Sequence, residues 1–452
     1  MSRDEMQSLT RDLFAHRISR RTFSTRAIAF GFSASAVSAF LAACGGGEGS
    51  GNPADSSGQI TVWTWPDNDK TFEKTIPIFE KKFPKITVKV QAFDSNSYHD
   101  KLLAALVSGS GPDVAMVEIG NIAKFKGKPG FVDLAQSPYD AKQYKSNYAA
   151  YSWNYVADEQ TGKIFTLPKN TGPGAMFYRR DLFQKAGLPT EPDAVHALLK
   201  DWDAFLSAAK KLSVSGKQWM VATPGQIFDT MRAQAHLSYY DASGNLQLRN
   251  PAYRTALQYT KDAWKAGFIS PFKEWGTEWA ATMQNGTIAT YLYGNWFGGL
   301  LKSVYAKGTD GKWGVTDAPA FQGNSAYDSG GDFIGILESS QNKGAAWNFI
   351  KFVTQDPDSL KTMYLANDLY PAWSPALSQQ WLNTSDTFYS GQQVNQIFSQ
   401  VQAKMTPPVT NPNDPVVSTV MTSALQDLTQ GNLSVDAVLD KAEQQIKAKT
   451  GK

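Results

Sequence analysis

Apolar positions between residues 60 and 117 switch repeatedly between a period of two and helical spacing. Residues 60–65 (ITVWTW) are alternating β-formers that stop at Pro66 and Asp67, which predicts a strand with a loop at its carboxyl end. Residues 69–82 carry a helical pattern ended by Pro84, and 86–90 (ITVKV) predict a second strand. Within 98–108, Leu102, Leu103, Leu106 and Val107 share one helical face. The turn 109–112 (GSGP) follows, with Asp113 as its cap, and 113–117 (DVAMV) reads as a buried strand. Strands alternating with helices predict a parallel α/β sheet. Such sheets take ligands outside the carboxyl ends of their strands. That rule selects Trp65 and Asp67 after the first strand, and Glu118 and Asn121 after the third.

The pattern changes further along. Residues 164–168 (IFTLP) and 175–178 (AMFY) predict two separate strands, and 181–186 a short helix stopped by Gly187. Residues 201–212 set Trp202, Phe205, Leu206 and Ala209 at helical spacing behind Asp201, a natural N-cap; that face reads as core packing. Longer helices are predicted near 250–266 and 342–354, and no internal repeat is present. At the front of the chain, residues 27–41 are apolar but diluted by Ser33, Ser35 and Ser38, and they follow Arg11, Arg17, Arg20, Arg21 and Arg26. This is signal-peptide layout, too short to span a membrane permanently. Residues 45–58 (GGGEGSGNPADSSG) have no apolar face and read as a flexible spacer.

Charge narrows the partners. Residues 1–43 hold six arginines and three acids, which accounts for the whole formal charge of +3. The remainder carries 38 bases and 38 acids, so nothing points to nucleic acid. Beyond the leader only His99, His196 and His236 remain, at no ligand spacing to one another, and the sole cysteine is Cys44. Zinc, a Ser-His-Asp triad, disulfides and any cofactor are therefore not expected. The 394 residues after residue 58 exceed one ordinary core and predict two domains.

Leu41-Ala42-Ala43-Cys44 resembles the lipobox of bacterial lipoproteins. The resemblance implies cleavage before Cys44, lipidation of Cys44, and an extracytoplasmic protein anchored to the cell membrane. Ser19-Arg20-Arg21-Thr22-Phe23 resembles the twin-arginine export motif, from which Ser24 and Thr25 depart; both export routes stay open.

Several later blocks resemble family 1 of the extracellular solute-binding proteins of ABC importers, most of which carry sugars. They are Gly111-Pro112-Asp113-Val114; 162–168 (GKIFTLP) followed by 176–183 (MFYRRDLF); Trp202-Asp203-Ala204-Phe205; and 286–289 (GTIA) with Gly294-Asn295-Trp296. Gly330-Gly331, then 343–352 (KGAAWNFIKF) and Leu369-Tyr370-Pro371-Ala372, complete the series. Their order across residues 59–375 implies an α/β, two-lobe periplasmic-binding-protein-like fold, each lobe a sheet flanked by helices, with ligand in the cleft between. The division implied is signal peptide 1–43, lipidated Cys44 with a tether to 58, lobe one 59–168 plus 322–367, and lobe two 173–314 plus 374–452. Crossings are expected near 168–172, 315–321 and 367–373.

A sugar site needs aromatic plates for C–H faces and polar side chains for hydroxyls. Trp65, Asp67, Glu118 and Asn121 supply both at the predicted strand ends. The resemblance adds Gln226 and Asp229 as polar contacts, Phe228 as a plate and Trp296 as the stacking residue. It also places Gly330, Gly331 and Asp332 where backbone approaches ligand, and Tyr370 and Trp373 at the third crossing. Trp373 stands where relatives often carry arginine, which favours a neutral ligand. Gly172 stands where some relatives carry a contacting carboxylate. The function implied is capture of a neutral sugar or oligosaccharide by a non-enzymatic monomer, for delivery to an ABC permease. Asp67 and Asp229 read equally as solvated loop residues. Tyr239-Tyr240 resembles the tandem tyrosines of ferric-iron-binding relatives, although a core role fits better. A polyamine ligand would need several uncompensated cleft acids. A secreted glycosidase would need two facing carboxylates, such as Glu118 and Asp332.

Overall fold

The computed structural model describes residues 56–158 and 161–451. The leader, Cys44 and the tether up to residue 55 lie outside them. Among the described residues nine strands form one sheet through both halves of the molecule: β1 (Gly58–Thr64), β2 (Ile86–Ala92), β3 (Val114–Glu118), β4 (Leu167–Arg179), β5 (Trp219–Val221), β6 (Ile288–Gly294), β7 (Trp313–Thr316), β8 (Asp328–Ile336) and β9 (Tyr370–Pro371), in the order β2-β1-β3-β8-β4-β6-β5, with β7 and β9 pairing β4 off that path. In the first lobe β1 pairs in parallel with β2 and β3, and β8 returns antiparallel beside β3. The first half of β4 pairs with β8; its second half pairs with β6 and β7 in the other lobe. β6 and β5 run parallel there.

Each lobe has its own core. Ile60, Val62, Met116, Ile334 and Ile336 pack with Phe72, Phe79 and Phe349 in the first. In the second, the two faces of β4 separate, as period-two alternation requires. Met176 and Tyr178 face Trp202, Phe205 and Leu212, whereas Ala175 and Phe177 face Trp279, Tyr291 and Trp313. Asp201 caps the helix Trp202–Leu212, accepting from the Ala204 N–H at 2.8 Å.

Three expectations change. The strands read at 164–168 and 175–178 are one thirteen-residue strand, β4, buried along its whole length. Pro168, Gly172, Pro173 and Gly174 look like breaks in the sequence. Register shifts between Pro168 and Asn170, and between Thr171 and Pro173, absorb them. The crossing expected near 315–321 comes later: Ala318, Phe321 and Tyr327 still pack in the second lobe, and the chain returns at Asp328, where β8 begins. Asp113 ties elements together rather than capping a turn; its carboxylate accepts from the Thr61 N–H at 2.8 Å and the Ser340 hydroxyl at 2.6 Å. β9 makes a further crossing beside Asn170 and Thr171.

Candidate functional site

The carboxyl ends of β1 and β3 from one lobe, and of β5 and β6 from the other, meet at the crossing strands. On the first-lobe wall Trp65 packs against Tyr98 and His99, with ring centroids at 5.4 and 5.6 Å. His99 Nε2 accepts the Glu118 N–H at 3.1 Å, and burial pushes the ring's pKa down to about 3, so it is neutral. Asn121 donates to Glu118 at 3.2 Å, and burial raises the Glu118 carboxyl above its ordinary range. Trp65, Glu118 and Asn121 thus form one linked group. Asp67 begins the helix Asn68–Lys82 with φ of 75°, and its exposed carboxylate pairs with Lys70 at 2.8 Å.

Asp332 sits opposite Glu118 in the β3–β8 register, at the floor. It is buried beside Lys169, 4.0 Å away, and Lys169 also donates to Asn68 and Asn170 at 3.3 and 3.2 Å. Burial lowers Lys169 to about 8, with the Asp332 charge opposing it. The Asp332 carboxylate is therefore committed to holding the crossing strands. Gly172 is a close backbone approach, because a Cβ there would lie 2.5 Å from the Gly330 carbonyl oxygen. Gly331, with φ of 144°, runs against the backbone of Asn170 and Thr171.

The second-lobe wall is aromatic. Trp296 begins the helix Trp296–Leu300 and donates from Nε1 to the Ser329 carbonyl at 2.7 Å. Its ring lies 5.6 Å from Tyr293 and stacks at 28° on Trp275, 6.1 Å away. Gln226, on the helix Pro224–Gln234, is buried; its Oε1 accepts from Leu292 N–H at 3.5 Å and its Nε2 lacks a protein partner.

Between the lobes lies a cavity of about 340 Å³. The first lobe contributes Tyr155 to its lining; the second contributes Asp229, Arg232 and Tyr239. Asp328 and Gly330 come from the crossing, and residues 405–410 with Asp414 form a strap across it. Asp229 and Arg232 stand 3.6 Å apart, and the guanidinium lies 4.7 Å from the Tyr239 ring centre. Burial, then the Glu118 charge, pushes Asp328 well above the usual carboxylate range. Burial also raises Asp414 to about 6. One carboxylate oxygen of each is buried without a hydrogen-bond partner.

Two expected contacts are corrected. Phe228 points away from the cleft into the core, 1% exposed, with Tyr253 at 6.1 Å. Its place on the helix Pro224–Gln234 puts it on the face opposite solvent. Tyr370 is fully buried, and its hydroxyl meets Ser399. Trp373 is half-buried against Tyr144 and Tyr148, at 6.1 and 5.1 Å. The structure adds Tyr155, Arg232, Asp328 and Asp414, which sequence reasoning missed, and Trp275, which stands beside a glycine as tryptophans lining a surface or cleft often do but was not counted in the expected site. Asp328 sits two residues before the glycine pair that was read as an approach point, and Trp275 carries the signal of a tryptophan in a turn. Tyr239 faces the cavity, and Tyr240 is buried outside its lining. No group of three His, Cys, Asp or Glu among the described residues is placed to hold a metal ion, and no helix among them is long and apolar enough to cross a membrane.

Comparison with known proteins gives a consistent result. The family profile of the bacterial extracellular solute-binding proteins matches residues 63–358. The arabinooligosaccharide-binding protein of Bacillus subtilis is 25% identical over 388 residues, covering 81% of this chain and 86% of its own. The lactose-binding protein of Rhizobium radiobacter is 25% identical over 407 residues, covering 86% and 92%. Among solved structures, an ABC-transporter-associated binding protein from B. animalis subsp. lactis in complex with β-1,6-galactobiose aligns with a TM-score of 0.73 at 25% identity, covering 86% of this chain and 96% of its own.

Proposed function

This chain belongs to the bacterial extracellular solute-binding proteins, and from that premise we propose that it captures a neutral sugar or oligosaccharide between its lobes for an ABC importer. The observation that carries the reading is the cleft itself: stacked indoles of Trp296 and Trp275 beside a polar cavity lined from both lobes. Indole faces match the C–H faces of a sugar ring, while Asp229, Arg232, Asp328 and Asp414 offer acceptors and donors for hydroxyls. The names of the relatives support a saccharide. Members of the family bind solutes and are not enzymes.

In this reading the two lobes close on the ligand as rigid bodies, because the closed form alone contacts it from both sides. The loaded protein, a monomer tethered by lipid on Cys44, then docks on the permease. Asp67, Glu118, Asn121, Gln226 and Trp65 line the approach, and Gly331 contributes backbone. Asp332 and Trp373 act through the floor and the third crossing.

Three carboxylates face one guanidinium in the cavity, but burial pushes Asp328 and Asp414 toward the neutral form, which weakens the case for a polyamine, the alternative that needs uncompensated acids. A thermal-shift screen of mono- and oligosaccharides, polyamines, amino acids and ferric citrate separates the two. A ligand at a hundredfold excess over its Kd adds about 2.7 kcal/mol to the folded state. A shift with saccharides alone supports the proposal; a shift with spermidine alone replaces it.

A further inference from the structure

Trp275 is the one aromatic among the large hydrophobic side chains left exposed in the described residues, with 54% of its surface open. Its backbone sits at φ of 63°, a left-handed conformation that bulky side chains rarely adopt. Such strain persists only where neighbours over-determine it, and it collects at ligand sites. Here the neighbours are plain. The Tyr293 hydroxyl donates to half-buried Glu274 on one side, and Gly276 opens the helix Thr277–Asn285 on the other.

The loop emerges at the cleft. Ile269 bridges Val221 in parallel, so the chain that follows leaves the sheet at the same edge as the carboxyl ends of β5 and β6. The shelf and the cavity adjoin at Gly330, which lines the cavity and whose Cβ would lie 2.8 Å from Trp296 Nε1. Around the cavity, Asp328 Oδ1 and Asp414 Oδ1 are buried without hydrogen-bond partners, as is Gln226 Nε2 near the shelf, and Arg232 Nε has only the Asp229 carboxylate 3.6 Å away. Buried polar atoms of this kind are ordinarily satisfied. A sugar ring offers both donors and acceptors.

We propose that Trp275 is a second stacking plate, and that the site takes a saccharide of at least two rings: an end ring in the cavity under the 405–410 strap, the next on the Trp275–Trp296 shelf. The inference rests on the carbohydrate reading. Because Trp275 is exposed, its truncation removes ligand contact and leaves the core intact.

The test measures Kd for the full chain with arabinose, arabinobiose and arabinotriose, galactose and β-1,6-galactobiose, and glucose, maltose and maltotriose. Wild type, Trp275→Ala and Trp275→Phe are compared. In the series that binds, the two-ring sugar binds more tightly than its monomer. Trp275→Ala weakens the two-ring sugar about tenfold and the monomer less than about twofold, and Trp275→Phe restores most of the loss. Ligand also quenches or shifts a tryptophan emission component that Trp275→Ala lacks. Equal loss for both lengths, or no loss, overturns the two-ring assignment while leaving carbohydrate binding intact. If no saccharide binds, the carbohydrate reading fails and this inference fails with it.

Discussion

Trp296 and Phe228 show how differently two aromatic residues are used within one lobe. Trp296 is anchored through its indole nitrogen to the Ser329 carbonyl, which fixes the plate at the edge of the cleft. Trp296→Ala is expected to weaken saccharide binding at least about tenfold, read by titration, while the unliganded melting temperature falls little. Phe228 is a core residue, so Phe228→Ala is expected to cost about 3–5 kcal/mol in denaturant unfolding. Any affinity loss there would follow instability and would not depend on sugar length. His99 allows a pH test. The folded ring takes a proton only near pH 3, whereas the free side chain does so near 6.5. Between those values the unfolded state binds more protons, so this contribution to stability rises with pH and is lost as pH falls. His99→Gln keeps an acceptor for the Glu118 N–H but does not titrate. Between pH 4 and 6, wild-type stability should therefore lose up to about 1.4 kcal/mol more per pH unit than the variant. Parallel pH profiles would show that His99 is not buried neutral.

At the scale of elements, the first α/β units and the capped helix at Trp202–Leu212 were legible because their apolar periodicity and stop signals agree. β4 was not. Its two prolines and two glycines in seven residues read as a boundary, and only the pairing partners on both sides make it one strand. The late crossing was hidden for a related reason: Phe321 and Tyr327 are core residues in an irregular stretch that has no period to read. The site suffered in the same way. Strand ends pointed to Trp65 and Glu118, but Asp328, Arg232 and Asp414 face one cavity only through three distant segments. Gly172 tests the crossing directly. A methyl group there meets the Gly330 carbonyl oxygen, so Gly172→Ala is expected to cost about 1–3 kcal/mol. An unchanged denaturation midpoint would mean the strands do not approach this closely.

The whole molecule is two cores joined by strands that carry polar side chains through buried space. Lys169, Asn170, Thr171 and Asp332 satisfy one another or nearby groups there. This arrangement places the cleft where each lobe turns its strand ends toward the other, and the strap at 405–410 closes one side of it. The central claim is that a saccharide is held in that cleft against the indole shelf. Titration calorimetry of the full chain with the saccharide that most raises its melting temperature, repeated on Trp296→Ala, tests it most directly. The account predicts one site per chain for wild type and a loss of at least about tenfold for the variant. Unchanged binding in Trp296→Ala, or heat only with spermidine, would contradict it.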